Sequence, residues 1–421
     1  MTTRPAERPT RRSALRHPAM RSILVAQSVS VFGSQLTFVA LPWFVLSSTG
    51  SATRMGIVFA AGLLPVALLG IPSGHAVQRL GARRTMDISN LARVPLLAMV
   101  PLLHGLGALP FPLLVAIAFV AGMFGAPYLS AQRLLLIEVF GEDESSIVQA
   151  NGLLEGASRF AALIGPAAVG VLIGAIGAVN VLYVNAATYL FAFAVLAVGL
   201  PRLSRPPAAG PPGSRGLWVG ARFVLTDRLL RRVSLASLLF GFFFPPLLVS
   251  LPVLTEQRYG GDPRVAGLLF AAWGAGAVIG TFGVMRYATR MPPIRMGTAA
   301  GIGVAAPLWL LLMPLDAWQV GLVLVLSGVF TPMLNAPLIT LVTLRSPRPM
   351  RAHAMTFVMT ANLLAGPLAF GLAGPALDRL GTWPVLLVAA AGVSTAALVL
   401  LTIARSGMGA GAAPAAAESG R

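Results

Sequence analysis

The 421-residue chain contains no lysine and no cysteine, and its 31 basic residues are all arginine. Without lysine the chain cannot form the phosphate-binding Walker loop of an ATP-driven pump or a pyridoxal Schiff base. Without cysteine it cannot form disulfides, thiolate metal sites or a thiol nucleophile. The four histidines lie far apart and show no metal-binding spacing. We therefore predict that the protein carries no metal ion and no cofactor.

Charged residues are also scarce, at 10% of the chain, whereas hydrophobic residues make up 56%. An ordinary soluble domain has roughly 25% charged residues, and a chain this apolar would aggregate in water. A helix needs about 20 apolar residues to cross a membrane, and twelve stretches are long enough. We number them spans 1 to 12; they are residues 20–46, 54–77, 85–104, 111–137, 147–177, 180–200, 233–256, 265–286, 295–315, 318–344, 352–377 and 382–404.

The arginines between these spans lie mainly on one side of the membrane. If the N-terminus is cytoplasmic, 24 arginines fall on cytoplasmic segments and four on outside loops. Membrane proteins carry an excess of basic residues in their cytoplasmic loops. We therefore predict a multi-pass protein of the plasma (inner) membrane with both termini cytoplasmic. The net charge of +18 then faces anionic lipid of the bilayer, and no nucleic-acid partner is needed to explain it.

The two halves of the chain resemble each other. Phe59-Ala60-Ala61 matches Phe270-Ala271-Ala272, and Gly165-Pro166-x-x-x-Gly170 matches Gly366-Pro367-x-x-x-Gly371. Duplicated bundles with a substrate site at their interface are typical of secondary transporters. We predict an all-α membrane protein of twelve transmembrane helices in two pseudo-symmetric six-helix bundles. The predicted parts are a basic N-terminus (1–19), a first bundle (20–200), a cytoplasmic linker with an interfacial helix (201–232), a second bundle (233–405) and a disordered tail (406–421).

The loop after span 2 carries a motif of glycines and arginines, Gly74-x-x-x-Gln78-Arg79-x-Gly81-x-Arg83-Arg84. Arginines at the C-terminal end of a helix meet the negative end of its dipole, and a cluster of them can latch one conformation by bridging the two halves. The alternative is that they only anchor the loop on the cytoplasmic side. We predict a conformational gate formed by Gly74, Gln78, Arg79, Gly81, Arg83 and Arg84.

With its twelve spans, its duplication and this loop, the chain resembles the major facilitator superfamily, whose best-known motif occupies the same loop. Three further segments resemble the branch that contains macrolide, multidrug and siderophore exporters: Leu41-Pro42-Trp43, the Gly165-Pro166 run, and Phe270-Ala271-Ala272-x-Gly274-x-Gly276. The resemblance implies transport by alternating access. The family motif has an aspartate where this chain has Gln78, which puts a carboxylate-based latch in doubt.

Polar residues inside the spans are candidates for the lining of a substrate cavity. On span 1 four of them follow one helix face, either to line the cavity or to bond to neighbouring helices. Two arginines can attract an anionic substrate or can instead snorkel or pair, with Asp87 available to Arg93. Two phenylalanines precede a proline pair, Pro245-Pro246, that interrupts span 7. The candidates are Gln27, Ser30, Ser34, Thr37, Arg93, Arg133, Phe243, Phe244, Asn335 and Asn362.

Three charged residues within the spans are candidates for proton coupling, namely Glu155, Arg159 and Asp87. Glu155 and Arg159 are four residues apart on span 5, which is a spacing that allows them to neutralise each other. Glu155 is therefore either the group that carries the proton or one half of a permanent buried ion pair.

From these features we predict a monomeric, proton-coupled exporter of amphipathic small molecules such as drugs, macrolides, siderophores or secondary metabolites. One alternative is uptake of a small polar solute by the same fold, which would need more polar residues in each cavity helix. The other is a lipid-processing membrane enzyme, which would need clustered carboxylates. Because the only acidic cluster, Glu142 to Glu144, fits a helix start, we predict that the protein is not an enzyme.

Overall fold

The computed structural model describes residues 17–140, 143–200, 215–287 and 290–406, and all regular structure in them is helical. Twelve helical stretches are long and apolar enough to cross a membrane. Spans 1 to 6 are Pro18–Thr49, Ala52–Leu80, Ala82–Gly105, Phe111–Met123 with Gly125–Phe140, Glu144–Ile176 and Val181–Gly199. Spans 7 to 12 are Arg228–Phe243 with Pro245–Arg258, Pro263–Tyr287, Pro293–Leu308 with the 3₁₀ turn Trp309–Leu312, Ala317–Arg345, Arg348–Leu380 and Thr382–Arg405.

The number of spans agrees with the prediction, and their ends differ from it by a few residues. Span 1 continues to Thr49 and ends there because Gly50 takes a left-handed conformation, with φ of 63°, and its N–H bonds to the carbonyl of Leu46. Span 2 similarly continues to Leu80. Helical hydrogen bonding extends past the apolar core into the polar ends, so the apolar run alone underestimates the length of most of the helices. Spans 6 and 9 are the exceptions, since span 6 ends at Gly199 and span 9 at Leu312, before their predicted ends.

Two spans are broken near the middle. The predicted interruption of span 7 occurs at Phe244. The break in span 4 occurs at Phe124 and was not predicted. Its physical cause is the same as in span 7, because Pro127 has no N–H to donate to the carbonyl of Met123.

Spans 1 to 6 form a first bundle and spans 7 to 12 a second, and two pairs of spans make most of the contacts between them: 2 with 11 and 5 with 8. The duplication relates span 2 to span 8 and span 5 to span 11, so the two pairs are equivalent. Both pairs cross at glycines. A Cβ on Gly56 would lie 2.5 Å from the carbonyl oxygen of Phe370, and one on Gly267 would lie 2.6 Å from that of Pro166.

These crossings lie on one side of the protein. We call the end of the bundles that holds the connection between spans 6 and 7 the linker side, and the opposite end the far side. Gly56 and Gly267 are both within the first two turns of their spans, which begin at the far side. The two bundles are therefore in close backbone contact at the far side.

On the linker side the same faces are separated. Glu155 lies two turns from Ala162, which contacts Gly274 of span 8, yet the Glu155 side chain is 63% exposed. On span 8, Phe282 and Met285 continue the face of Gly274 toward the linker side and are 66% and 73% exposed. The structure is thus closed at the far side and open at the linker side.

A short helix, Arg215–Thr226, precedes span 7 and packs on span 11. Gly220 makes this possible, because a Cβ there would lie 2.1 Å from the carbonyl oxygen of His353. Asp227 then begins span 7 by accepting hydrogen bonds from the N–H groups of Leu229 and Leu230, each at 2.9 Å. Residues 1–16 of the predicted N-terminus, residues 201–214 of the predicted linker and most of the predicted tail lie outside the described residues.

Candidate functional site

The centre of the first bundle contains a buried arginine flanked by two tyrosine rings. Arg93 lies near the middle of span 3 and is 8% exposed. The central guanidinium carbon is 5.1 Å from the ring centroid of Tyr189 on span 6 and 5.7 Å from that of Tyr128 on span 4. Both distances are in the range of cation–π attraction. We call Arg93, Tyr128 and Tyr189 the arginine cage.

The polar face of span 1 holds this cage in place. Gln27 accepts a hydrogen bond from the hydroxyl of Tyr128 at 2.8 Å, and Ser34 shares one of 2.9 Å with the hydroxyl of Tyr189. Ser30 is buried beside them. One turn further, Thr37 accepts a hydrogen bond from the amide of Asn185 on span 6. For Gln27, the contact observed is a hydrogen bond to a neighbouring helix. Ser34 and Thr37 fit both interpretations of this face, because they bond to span 6 and also line a cavity.

That cavity has a volume of about 250 Å³ and is enclosed by spans 1, 2, 3, 4 and 6. Arg93 and Tyr189 form its polar end, and Leu63 and Leu97 belong to its apolar wall. We call it the first-bundle cavity. The break in span 4 borders it: Gly125 leaves room for the Arg93 guanidinium, 3.4 Å from the position that a Cβ would take.

The predicted pairing of Arg93 with Asp87 is wrong. Asp87 is within 3.7 Å of Arg83, four residues before it, and Arg93 contacts the two tyrosine rings instead. Residues six apart on a helix point to different faces, whereas residues four apart share one. Tyr128, Tyr189 and Asn185 are members of the site that the sequence analysis missed. The two tyrosines could have been identified by their position inside spans 4 and 6, because tyrosine in membrane proteins is enriched at the membrane–water interface.

A second cavity lies among spans 7, 9, 10 and 11, in two adjoining parts of about 400 and 190 Å³ that share Ser237, Asn335 and Asn362. The structure therefore brings together the two predicted asparagines from spans 10 and 11. Asn362 accepts a hydrogen bond from Ser237 at 3.0 Å, and Asn335 is exposed to the cavity. Phe244 lines the smaller part. We call this the second-bundle cavity.

Phe243 is not part of this cavity. Its ring occupies the space beside Gly392 of span 12, where a Cβ would lie 2.0 Å from the ring. Phe243 and Phe244 are adjacent on a helix and therefore point to different faces. Arg133 is exposed on the half of span 4 nearer the linker side and lines neither cavity.

Four phenylalanines from both bundles close the far side above the first-bundle cavity. The rings of Phe59 and Phe370 stack with their centroids 4.7 Å apart, and Phe38 lies edge-on to Phe59 at 5.3 Å and to Phe270 at 6.3 Å. We call these four residues the aromatic plug. Phe38 and Phe59 also line the cavity, so the cavity reaches the interface between the bundles.

Further toward the far side, span 11 caps the start of span 2. The carboxylate of Asp378 accepts hydrogen bonds from the N–H groups of Ala52 and Thr53, both at 2.8 Å, and from the hydroxyl of Ser51 at 2.9 Å. Free N–H groups at a helix start favour a negative partner. Here the partner comes from the opposite bundle, so the bonds hold the far side closed.

The sequence around Asp378 repeats the predicted gate motif. Gly374-x-x-x-Asp378-Arg379-x-Gly381 at the end of span 11 has the spacing of Gly74-x-x-x-Gln78-Arg79-x-Gly81 at the end of span 2. The last glycine has φ of 84° in the first copy and 82° in the second, a conformation that favours glycine. The two copies thus share their backbone turn and differ at the position of Gln78 and Asp378.

In the gate motif itself, the contacts described stay within the first bundle. Arg83 donates to the carbonyls of Ala197, at 2.8 Å, and Leu200 at the end of span 6. Arg79 and Arg84 are exposed on the linker side. Gly74 faces open space, as expected where the bundles are apart.

Glu155 and Arg159 form an ion pair with an N–O distance of 2.8 Å. They lie on the face of span 5 that contacts span 8 nearer the far side. The pair is exposed to the gap at the linker side. The structure therefore contradicts the description of a buried pair in this conformation. Among the residues that the structure describes, no group of three or more metal-ligating side chains is found.

Comparisons with known proteins agree on one architecture. The family model described as Major Facilitator Superfamily matches residues 23–370. The multidrug efflux pump Tap of Mycolicibacterium fortuitum is 29% identical over 85% of this chain and 89% of its own length. Macrolide efflux protein A of Streptococcus pyogenes is 22% identical over 62% of this chain and 64% of its own length. The crystal structure of the nucleoside transporter NupG covers 92% of this chain and 99% of its own, with a TM-score of 0.77 at 11% identity, so it is similar in fold.

Proposed function

Because the chain belongs to the major facilitator superfamily, we propose that it is a secondary transporter that exports amphipathic small molecules by alternating access, coupled to protons. The observation that carries the proposal is the one-sided contact between the bundles, which are joined at the far side and apart at the linker side. Transporters of this kind expose one central site to each side in turn. The largely apolar walls of both cavities suit amphipathic substrates, and two relatives are named as efflux proteins.

The protein is a multi-pass membrane protein, and we assign its linker side to the cytoplasm. The support is the excess of arginine in the segments on that side. In this orientation the structure is open to the cytoplasm, which is the conformation in which an exporter takes up its substrate. One chain supplies both halves of the central site, so we propose that the monomer is the working unit, and we assign it no chemical reaction.

The two copies of the gate motif act on opposite sides in the proposed cycle. Spans 2 and 11 are antiparallel neighbours, so the end of each lies beside the start of the other. Asp378 at the end of span 11 caps the start of span 2 while the far side is closed. Gln78 takes the equivalent place at the start of span 11 when the linker side closes. An amide oxygen accepts hydrogen bonds more weakly than a carboxylate, which favours the conformation open at the linker side.

Proton coupling is assigned to Glu155. Its side chain is paired with Arg159 but faces the gap that must close during the cycle. Closure of the linker side brings it against the apolar Phe282 and Met285 of span 8. In the proposed cycle Glu155 carries the proton, and the closing and opening of this gap control the access of water to its carboxylate.

The proposal is tested by substrate-dependent proton flux in proteoliposomes, screened with cationic dyes, macrolides, siderophores and aromatic carboxylates. We expect a compound to accumulate in inverted vesicles with an acidic lumen and to release protons as it enters. Accumulation in right-side-out vesicles alone would instead support uptake. If no compound is moved or bound, the proposed function is wrong.

A further inference from the structure

Among the described residues that line the first-bundle and second-bundle cavities, Arg93 carries the only charge. It lies about 17 Å along span 3 from Ala82, at 1.5 Å per residue, which is close to the middle of the membrane. A buried charge is normally paired, because removing an unpaired charge from water is strongly unfavourable. Arg93 has no anionic partner among the described residues, which needs an explanation.

No carboxylate in the described part of the chain pairs with Arg93. The acidic side chains of the spans that have partners bond elsewhere: Asp87 to Arg83, Glu155 to Arg159, and Asp378 to the start of span 2. The contacts of Arg93 are the faces of Tyr128 and Tyr189. These attract the cation through their ring faces, and none of the hydrogen bonds among the described residues is donated by the guanidinium.

A second unpaired group lies on the same face of span 3. Asn90, one turn from Arg93, is 0% exposed, and among the described residues neither its amide nitrogen nor its amide oxygen makes a hydrogen bond of normal geometry, although it lies close enough to the Tyr128 hydroxyl to interact with it. Buried polar groups are nearly always hydrogen-bonded. Arg93 of the cage and its neighbour Asn90 are therefore two polar side chains, both more than nine-tenths buried, for which the described residues supply no hydrogen bond of normal geometry.

Taking the proposed transport function as given, we infer that the arginine cage is the binding site for the acidic group of the substrate, which is an amphipathic organic anion such as an aromatic carboxylate. A carboxylate accepts two parallel hydrogen bonds from a guanidinium. The apolar part of such a molecule fits against Leu63, Leu97 and the two plug residues that line the 250 Å³ cavity, Phe38 and Phe59. Lipophilic cations are disfavoured there, because Arg93 repels them and no carboxylate lines either cavity.

The tyrosines and the face of span 1 position Arg93. The hydroxyls of Tyr128 and Tyr189 are tied to Gln27 and Ser34, so both rings are held against the guanidinium. The span 4 break supplies the remaining space, since Gly125 has no side chain to displace Arg93. The cage is therefore present before the anion arrives, which reduces the entropy lost on binding.

The test compares probes that differ in charge and in size. Radiolabelled 2-naphthoate, its neutral analogue 2-naphthamide, acetate and tetraphenylphosphonium are measured for binding to the purified full-length protein in nanodiscs. We expect 2-naphthoate to bind at least about tenfold more tightly than 2-naphthamide, since a charge-assisted hydrogen bond contributes roughly that factor or more. Acetate, which lacks the apolar part, should compete weakly.

The variants are Arg93→Gln, Arg93→Lys and the matched control Arg54→Gln. Arg54 also lies over an aromatic ring, that of Phe111, but is exposed at the far side. Arg93→Gln should lose the preference for 2-naphthoate over 2-naphthamide, and Arg54→Gln should keep it. If Arg93→Gln fails to fold, the test rests on Arg93→Lys. This variant retains a cation and should therefore retain the preference for 2-naphthoate over 2-naphthamide.

The inference is overturned by equal binding of 2-naphthoate and 2-naphthamide by the natural protein, by a preference that survives Arg93→Gln, or by its loss in a folded Arg93→Lys variant. Transport of tetraphenylphosphonium, unaffected by Arg93→Gln, together with no binding of 2-naphthoate, would overturn the anion site and leave the exporter intact. Binding of 2-naphthoate through Arg93 without transport of any compound would support the anion site and contradict the proposed function.

Discussion

Asp378 of span 11 accepts a hydrogen bond of 2.8 Å from the backbone N–H of Ala52 on span 2, across an interval of 326 residues and between the two bundles. The same carboxylate bonds to Thr53 and Ser51. Opening the far side must break all three bonds. The strength of this contact therefore sets part of the balance between the two conformations of the protein.

Replacing Asp378 with asparagine should favour opening of the far side. Asparagine keeps the shape but accepts hydrogen bonds less strongly, so we expect a loss of about 1 kcal/mol, or roughly a fivefold shift in population. Because the chain has no cysteine, introduced cysteine pairs can be labelled without background for distance measurement. Asp262→Asn is a matched control, since Asp262 accepts a bond from Arg264 at the start of its own span. An equal shift in both variants would argue against the cross-bundle cap.

Gln78→Asp should shift the balance in the opposite direction. It restores a carboxylate to the first motif, where it can accept hydrogen bonds from the start of span 11 once the linker side closes. We expect a larger closed fraction at the linker side, measured with a spin-label pair across that gap. Gln78→Asn, which has the size of aspartate without its charge, should not produce the effect. A linker-side distance unchanged by Gln78→Asp would show that the two motifs are not equivalent.

Gly56→Ala should prevent full closure of the far side. A Cβ at this position would lie 2.5 Å from the backbone carbonyl of Phe370 and 3.1 Å from the backbone of Gly374, and neither can move without shifting span 11. We expect most transport activity to be lost and an introduced far-side cysteine to become reactive. Gly105→Ala, also toward the far side but facing open space, should retain activity. Full activity of Gly56→Ala would mean that close approach here is dispensable.

Glu155→Gln should uncouple transport from the pH gradient. The neutral amide cannot exchange a proton, so substrate accumulation driven by an imposed gradient should fall to the level of empty vesicles, while exchange of labelled for unlabelled substrate continues. If accumulation driven by the gradient is undiminished, Glu155 is not the proton-coupling residue. Loss of exchange as well would indicate a structural role for its pair with Arg159.

The parts of the fold that follow from local physics were predicted from the sequence. The length of the apolar runs gives the twelve spans, and Pro245 with Pro246 gives the break in span 7. Pro127 indicates a break in span 4 for the same reason, although no break was predicted there. The pairing of Asp87 with Arg83 was also available from helical spacing, which the prediction of an Arg93 partner ignored.

The contacts between distant segments could not be predicted in this way. Nothing in the local sequence indicates that Asp378 caps span 2, because the partner groups are backbone N–H groups, which every sequence supplies. The cage around Arg93 likewise depends on how spans 3, 4 and 6 pack. A face of small polar residues on span 1 predicts hydrogen bonds but does not identify Tyr128 and Tyr189 as their partners.

The central claim is that the two sides open in turn. It is tested most directly by pulsed electron resonance distances in nanodiscs, with spin labels on a linker-side pair, Val148→Cys and Met285→Cys, and on a far-side pair, Val171→Cys and Leu268→Cys, all at exposed positions. We predict that adding substrate together with protons shortens the first distance while lengthening the second. If both distances change in the same direction, or if neither changes under conditions in which substrate is transported, the alternating-access account is contradicted.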